Sequence, residues 1–277
     1  MKNFLNKQKF ILIPIYDDWK SLELLLEKIK NIYDPKKIKI LIINDASKKR
    51  FNIKKNKIKI FSDFKIINLK KNIGSQRALS IGIKYVSKKY KDYQMIIMDG
   101  DGEDNPELIK TLFKFSNIYP NDALVVTRTS RREGFIIKIL YEIYFLISFI
   151  LILIPLRFGN YSLINNKIAK KILKDDSYWF AYPPALLKNA DNMRRLYAKK
   201  DFRNCGKSQM SYKDLLIHAI RIITPFKNRI LITSIIYSSL IIFFIENSFV
   251  IKTLLIIFFL LNLFIQINYF IIKKKKT

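Results

Sequence analysis

The stretch QMIIMDGDGEDNPE, residues 94–107, gathers Asp99, Asp101, Glu103 and Asp104 immediately after a short apolar run. Carboxylates crowded at the carboxyl end of a buried strand repel one another, and a cation relieves that repulsion. A hard divalent cation held by one or two carboxylates, with phosphate oxygens in its other positions, is the usual arrangement for Mg²⁺. Gly100 and Gly102 let backbone and ligand approach closely. Asn105 suits the cap of a following helix and Pro106 its first position. A D-x-D taken alone reads more simply as an acidic surface turn, so the surrounding elements must decide. A calcium loop fails on spacing, because its frame needs Gly where Asp104 stands.

The chain offers a scaffold for these carboxylates in alternating strands and helices. Residues 10–15 read as a buried strand, with Tyr16-Asp17-Asp18 at its end. A helix follows with Leu22, Leu25, Leu26 and Ile29 on one face, the i, i+3, i+4, i+7 spacing. Residues 38–43 predict a second strand ending in Asn44-Asp45-Ala46-Ser47, and short strands are expected at 58–61 and 65–69. Asn72-Ile73-Gly74-Ser75 leads into a helix carrying Ala78, Ile81 and Tyr85. The strand before Asp99, a helix from Pro106 and a strand at 123–126 complete the series. Such alternation argues for a largely parallel sheet covered on both faces. Ligands of such sheets sit outside the carboxyl ends of the strands. Asp18, Asp45, Asp99 and Asp101 all fall there, which sets the cluster apart from a random turn. Neither a G-x-G-x-x-G after the first strand nor a P-loop is present.

At 277 residues the chain holds one sizeable domain and an accessory part. A formal net charge of +29 suggests nucleic acid or an anionic membrane surface. Lys, Ile, Asn, Tyr and Phe are abundant throughout, however, as an AT-rich genome produces, and this accounts for part of the excess. With no basic-aromatic RNA signature and no helix-turn-helix pattern, nucleic acid is set aside. Cys205 and His218 are each single, which excludes disulfides, structural zinc, His-based metal clusters and Cys-His nucleophile pairs. His218 lies among apolar residues of a predicted helix and is read as packed. The opening MKNFLNKQKFILIPIYDD is basic and then apolar. Its short run ends in Pro and Asp with no small-residue cleavage site, so a strand is expected there, not a signal peptide.

Beyond Arg128 the character changes. Arg128, Arg131 and Arg132 precede residues 135–155, which are almost wholly apolar but carry Lys138 and Glu142. The length allows a span, yet residues 157–229 are rich in Lys and Arg and would resist crossing. The segment is therefore expected to lie in the cytoplasmic interface, with Lys138 and Glu142 at the wet edge. Residues 230–245 and 251–272 are long enough to span, joined by Glu246-Asn247-Ser248 and followed by Lys273 to Lys276. Basic residues at both outer ends place both ends in the cytoplasm. A buried helical hairpin of a soluble core is the competing reading, and the uniform apolarity and four terminal lysines argue against it.

With these parts placed, the chain resembles the family 2 glycosyltransferases that load a sugar onto a polyprenyl phosphate, the dolichyl-phosphate mannosyltransferases and bacterial undecaprenyl-phosphate glucosyltransferases among them. Pro14-Ile15-Tyr16-Asp17-Asp18 looks like P-V-Y-N-E, and Asp45 falls on the second aspartate of D-D-G-S. Asn72, Gly74, Ala78 and Gly82 match N-x-G…A…G, and residues 99–103 look like D-A-D-L-Q, with Pro106-Glu107 following. Arg128 matches the arginine after the next strand. Residues 159–163 resemble G-D-F-R-L and residues 203–208 resemble R-x-x-G-x-S. The similarity runs over most of residues 9–229.

The resemblance implies a GT-A-like nucleotide-sugar-binding α/β fold with a mostly parallel sheet. It divides the chain into a core at 1–134, a membrane-interfacial helical segment at 135–156, the rest of the catalytic domain with a juxtamembrane helix at 157–229, and two transmembrane helices with a basic cytoplasmic tail at 230–277. It implies nucleotide-sugar contacts at Pro14, Tyr16, Asp18, Asp45, Gly74 and Asp99, and Mg²⁺ or Mn²⁺ at Asp99, Asp101 and Glu103. Acceptor-phosphate contacts fall on Arg128, Arg131, Arg132, Arg203 and Ser208, and catalytic roles on Asp99, Asp101, Arg128 and Arg203. The implied partners are a UDP- or GDP-hexose, polyprenyl phosphate and membrane lipid, in a bacterial cytoplasmic membrane with the catalytic domain cytoplasmic; a homo-oligomer is compatible. The departures are Asp18 for Glu, Glu103 for Gln, Ser162 for Arg, and Glu142 about where an acceptor arginine is expected. They leave open a different lipid acceptor and a non-catalytic membrane scaffold.

Overall fold

The computed structural model describes residues 7–129, 135–199, 201–205 and 212–275, so Arg131, Arg132 and Ser208 lie outside the described residues. The elements in chain order are β1 (Gln8–Ile15), α1 (Trp19–Ile32), β2 (Lys39–Asn44), α2 (Lys55–Ile58), β3 (Asp63–Asn68), α3 (Ser75–Lys89) and β4 (Tyr93–Ile97). There follow α4 (Leu108–Ile118), β5 (Ala123–Arg128), α5 (Phe135–Ile152), β6 (Ser162–Asn165), α6 (Asn166–Lys174), α7 (Tyr182–Asn189) and β7 (Met193–Ala198). Last come α8 (Tyr212–Ile223), α9 (Lys227–Phe244) and α10 (Ser248–Lys274). The chain divides into two compact units, Met1–Arg132 with Arg157–Gln209, and Glu133–Leu156 with Met210–Thr277.

The first unit is a seven-stranded sheet in the order β3-β2-β1-β4-β6-β5-β7. Every pairing is parallel except the two that β6 makes with β4 and β5. The carboxyl ends of all strands but β6 therefore share one rim. Side chains alternate across a strand, and β1 shows the consequence. Ile11, Ile13 and Ile15 pack with Leu22, Leu25 and Leu26 of α1 and with Ile109 and Leu112 of α4. Phe10 and Leu12 face the other way, onto Leu79 and Ile83 of α3, Ile168 of α6 and Leu186 of α7. Both faces are covered, so the strands need no polar side and read as continuous apolar runs. Each such fully buried Leu or Ile contributes about 1.5–3 kcal/mol. Gly82 lets α3 sit close on the sheet, since a Cβ there would run into Leu12.

Local expectations and structure differ in three places. Residues 58–61 are the end of α2 and a turn, not a strand, and Phe61 joins the core beside β3 without any ladder pairing. Helix α4 begins at Leu108, because Asn105 turns its Oδ1 to the Glu107 N–H at 2.8 Å and closes a tight turn ahead of the helix. β6 and β7 were not expected, and β6 is the strand that makes the sheet mixed.

In the second unit α9 and α10 form a hairpin. Asn247 ends the turn by capping α10, its Oδ1 accepting from the Phe249 and Val250 N–H groups. Helix α5 packs on α9, where Thr233 Oγ1 donates to the Leu151 carbonyl at 2.8 Å and Tyr237 to that of Ile150 at 2.8 Å. Two helical stretches are long and apolar enough to cross a membrane, Lys213–Phe244, which runs through α8 and α9, and Ser248–Lys274, which is α10, with mean hydropathy 1.3 and 2.4. Large apolar side chains such as Phe243, Phe249 and Phe259 are exposed.

Candidate active site

β4 is buried at every position, and the chain leaves it at the rim. Asp99 is the second residue beyond it. Its carboxylate Oδ1 accepts from Asn160 Nδ2 at 3.0 Å, and its N–H donates to Asp104 Oδ2 at 3.0 Å. Asp101 turns Oδ1 back to the Glu103 N–H at 3.0 Å and sets Oδ2 against Arg203 Nη1 at 3.2 Å. Arg203 Nη2 meets Asp18 Oδ2 at 3.1 Å. One guanidinium thus bridges the carboxylates that follow β1 and β4.

Residues 201–205 lie along the acidic loop as a strap. The Asp201 N–H donates to the Glu103 carbonyl at 3.0 Å and the Asn204 N–H to that of Asp101 at 2.8 Å. Asn204 also donates to the Ser21 carbonyl at 3.2 Å and accepts from Lys28 Nζ at 2.9 Å. Gly102 makes the approach possible. Its φ is +85°, and a Cβ there would strike the Asn204 side chain.

Asp45 lies beyond β2 and is 2% exposed. Its two oxygens accept from the Ile73 and Gly74 N–H groups, both at 2.8 Å, which shapes the turn into α3. Burial pushes its carboxyl up, and those two hydrogen bonds pull it back. Pro14 is buried within β1 opposite Ile43, and Tyr16 stands half-buried where β1 ends. Asp17 and Ala46, both non-glycine, hold φ of 55° and 58°. They belong to two loops tied together by the Asp17 N–H to Ser47 Oγ at 2.9 Å and the Lys49 N–H to Asp17 Oδ1 at 2.8 Å. Left-handed non-glycine residues concentrated at one rim mark a place where the fold overrides local preference.

The expected acceptor residues fare unevenly. Arg128 reaches Asp104 Oδ1 with Nη2 at 3.2 Å, so its guanidinium is engaged by a carboxylate. Ser162, which stands for an arginine of the family motif, is fully buried and shares a hydrogen bond with the Tyr182 hydroxyl at 2.7 Å. It is a core residue. Asp104, Asn160 and Gln76 were given no role from sequence. Gln76 donates to Asn160 Oδ1 at 3.0 Å and accepts from the Tyr182 N–H at 2.8 Å, so it orients the amide that holds Asp99. Asn160 lies in the stretch at 159–163 that resembles G-D-F-R-L, and that position is the available signal.

Asp99 is pushed up to about 6 by burial and then by the charge of Asp104. Asp101 is pushed up to about 6 by burial and then by Asp99 and Glu103. Two carboxylates whose charged forms are disfavoured by burial and by neighbouring carboxylates would gain from a cation, and hard carboxylate oxygens suit Mg²⁺ or Mn²⁺. Among the described residues no three His, Cys, Asp or Glu side chains form a ready cage. A cation at Asp99 and Asp101 would therefore complete its shell with phosphate oxygens and water, as Mg²⁺ commonly does.

Comparison with known proteins adds three findings. Residues 10–183 match the glycosyl transferase family 2 domain. An uncharacterised glycosyltransferase of Synechocystis sp. is 32% identical over 173 residues, a match spanning 58% of this chain and 51% of that protein, about half its length. Glucosyl-3-phosphoglycerate synthase from Mycobacterium tuberculosis, solved with phosphoglyceric acid, superposes with a TM-score of 0.55 at 10% identity, over 81% of this chain and 80% of that one. The same enzyme solved with Mn²⁺, UDP and glucosyl-3-phosphoglycerate gives 0.54 at the same identity and coverage. These superpositions speak for the fold, a GT-A-like α/β fold with a mostly parallel, mixed sheet.

Proposed function

Because the chain belongs to glycosyl transferase family 2, we propose that it is a membrane-bound inverting glycosyltransferase that moves a hexose from a nucleotide-sugar to polyprenyl phosphate with the help of a divalent cation. The observation that carries this reading is the convergence of Asp18, Asp99, Asp101 and Arg203 on the rim beyond β1 and β4.

The nucleotide-sugar would lie along Pro14, Tyr16, Asp18, the Asp45–Gly74 turn and Asp99. Asp99 and Asp101, with Glu103 beside them, would hold the cation. Bound there, Mg²⁺ or Mn²⁺ supplies neutralisation of the charge that develops on the departing nucleotide diphosphate. The Mycobacterium tuberculosis synthase, of the same fold, was crystallised with UDP and either cation, which supports UDP as the first donor to try. Arg203 would turn from Asp18 and Asp101 to a phosphate, which a guanidinium grips bidentately without losing its charge. Arg128, held at one side by Asp104, would face the acceptor phosphate as well, and Arg131, Arg132 and Ser208 are further acceptor candidates.

A lipid phosphate oxygen attacks the anomeric carbon, the bond to the nucleotide diphosphate breaks, and the configuration inverts. A phosphate monoester has its second pKa near ~6 and is already anionic at neutral pH. No general base is needed, which agrees with a chain whose one histidine, His218, lies in α8. A polyprenyl chain cannot leave the bilayer. Residues 230–245 and 251–272, carried mainly by α9 and α10, would span a cytoplasmic membrane and tether the transferase domain to it, with α5 in its interface.

A second acceptor, such as a lipid-linked sugar or a diacylglycerol, is favoured by the engagement of Arg128 with Asp104 and by Glu142 in the interfacial segment. The two readings separate in one experiment. Membranes containing the protein receive labelled UDP- and GDP-hexoses, undecaprenyl phosphate and Mn²⁺. Lipid-extractable label whose lipid part is polyprenyl phosphate by mass spectrometry is the expected result. Label on another lipid selects the second reading. No lipid label from any donor, alongside a working control enzyme, contradicts both.

A further inference from the structure

We infer that Asp104 is a positioning residue for this site, holding the donor-side carboxylate Asp99 and the acceptor-side arginine Arg128 in fixed relation through its two oxygens. The inference rests on the proposed glycosyl transfer for the roles of those two partners. Asp104 is 3% exposed, at the far end of the acidic loop. Oδ2 takes the main-chain N–H of Asp99 at 3.0 Å, closing the loop on itself across five residues. Oδ1 takes Arg128 Nη2 at 3.2 Å, across from the end of β5.

Both bonds meet a need. Asp99 stands just past β4, where the Met98 N–H still reaches the Leu12 carbonyl of β1 at 3.2 Å. Its own N–H, at a half-buried position, would otherwise have no ladder partner. The residue after Asp104 is pinned as well, the Tyr161 hydroxyl donating to the Asn105 carbonyl at 2.8 Å, with the Tyr161 carbonyl accepting from the Val126 N–H of β5 at 2.9 Å. The loop bearing Asp99 is thus clamped to β5 at Asp104 and beside β6 at Asn105. Asn160 fixes the Asp99 side chain from the other side. A site geometry of this kind tolerates little play, since a small displacement of a reacting or binding group is felt strongly in rate.

Two donors converge on one carboxylate, so charge and shape are both specified. An amide at 104 offers one acceptor oxygen and turns its NH₂ toward either Arg128 or the Asp99 N–H, where donor meets donor. Asp104→Asn should therefore disturb both sides at once. We expect about tenfold or greater weakening of Mn²⁺-dependent UDP binding in calorimetry, and a rise of similar size in the acceptor KM. Arg128→Gln should raise the acceptor KM while moving UDP–Mn²⁺ binding by less than about threefold. The double variant should be no worse than the poorer single variant in each measurement, because the residues act as one unit.

Circular dichroism and melting temperature are recorded for every variant. A lowered melting temperature with unchanged constants would mean that Asp104 merely supports the fold, and overturns the inference. Full additivity in the double variant overturns it as well. If Asp104→Asn does not fold, Arg128→Lys takes its place: it keeps the charge but loses the planar fork, and an unchanged acceptor KM counts against the inference. Failure of the parent reading looks different, for then the unaltered protein binds no UDP with Mn²⁺ and labels no lipid.

Discussion

Two arginines meet carboxylates at the same rim, and they are held in different ways. Arg128 meets Asp104, a carboxylate 3% exposed whose other oxygen secures the main chain of Asp99. Arg203 lies between Asp18 and Asp101, each 17% exposed at the side chain, and it rides on the strap at 201–205. The first braces a buried carboxylate. The second is a cation standing where metal and diphosphate would compete for the same two carboxylates. Residue type is identical in the two places, and what separates the roles is how deeply the partner carboxylate is buried, Asp104 far more than Asp18 or Asp101.

The sharpest way to break that contrast is to remove a carboxylate that the account gives to the cation. Asp101→Ala should reduce turnover by at least about 10²–10³-fold while the protein stays folded. Unchanged turnover would remove Asp101 from the site. The arginines should then differ in kind. Arg203→Ala should lower turnover by about 10²-fold and leave the unfolding midpoint nearly unchanged. Arg128→Ala should cost about 2–3 kcal/mol of stability as well, because it strands a buried carboxylate. Thermal denaturation of the two variants side by side decides, and equal loss of stability erases the distinction.

The pH dependence probes the same carboxylates with a sign that can be worked out. Asp99 and Asp101 have folded-state values of about 6, above the ordinary 3.8. The folded state therefore holds their protons more tightly than the unfolded state. Their contribution to stability is present in full below 3.8 and is lost as pH rises through about 6. Cation binding needs the charged form and gains over the same interval. Metal-free protein should melt lower at pH 7 than at pH 5, whereas Mn²⁺-dependent nucleotide binding should be stronger at pH 7. Two curves of the same slope would contradict this. The smallest effect is expected at Gly102, where Gly102→Ala should cost about 1–2 kcal/mol through its φ of +85° and the approach of Asn204. Chemical denaturation measures it, and a neutral substitution would mean that the strap is loosely held.

Much of the frame was legible in the residues. β1, β2 and β4 are buried apolar runs, and the Leu22, Leu25, Leu26 and Ile29 face of α1 packs as its spacing requires. The rim aspartates follow from the rule that a parallel sheet binds at its carboxyl ends. The hidden part was whatever depends on distant partners. β6 has the sequence Ser-Leu-Ile-Asn, and its burial comes from β4 and β5 on either side. β7 exposes Arg194 and Arg195 and has no apolar alternation to announce it. Asn105 and Pro106 looked like a helix start, but the Asn105 side chain serves the turn before it. Asp104 resembled one more acid of a cluster, and only its contact with Arg128, 24 residues on, shows a different task.

The central claim is that Asp99 and Asp101 hold a cation against a nucleotide diphosphate. Calorimetric titration of UDP and GDP into the full chain, with and without Mn²⁺, tests it most directly when repeated on Asp101→Ala. The account predicts binding of at least one nucleotide that requires Mn²⁺ and disappears in the variant. Binding that is equal without metal, or unchanged in Asp101→Ala, would contradict it.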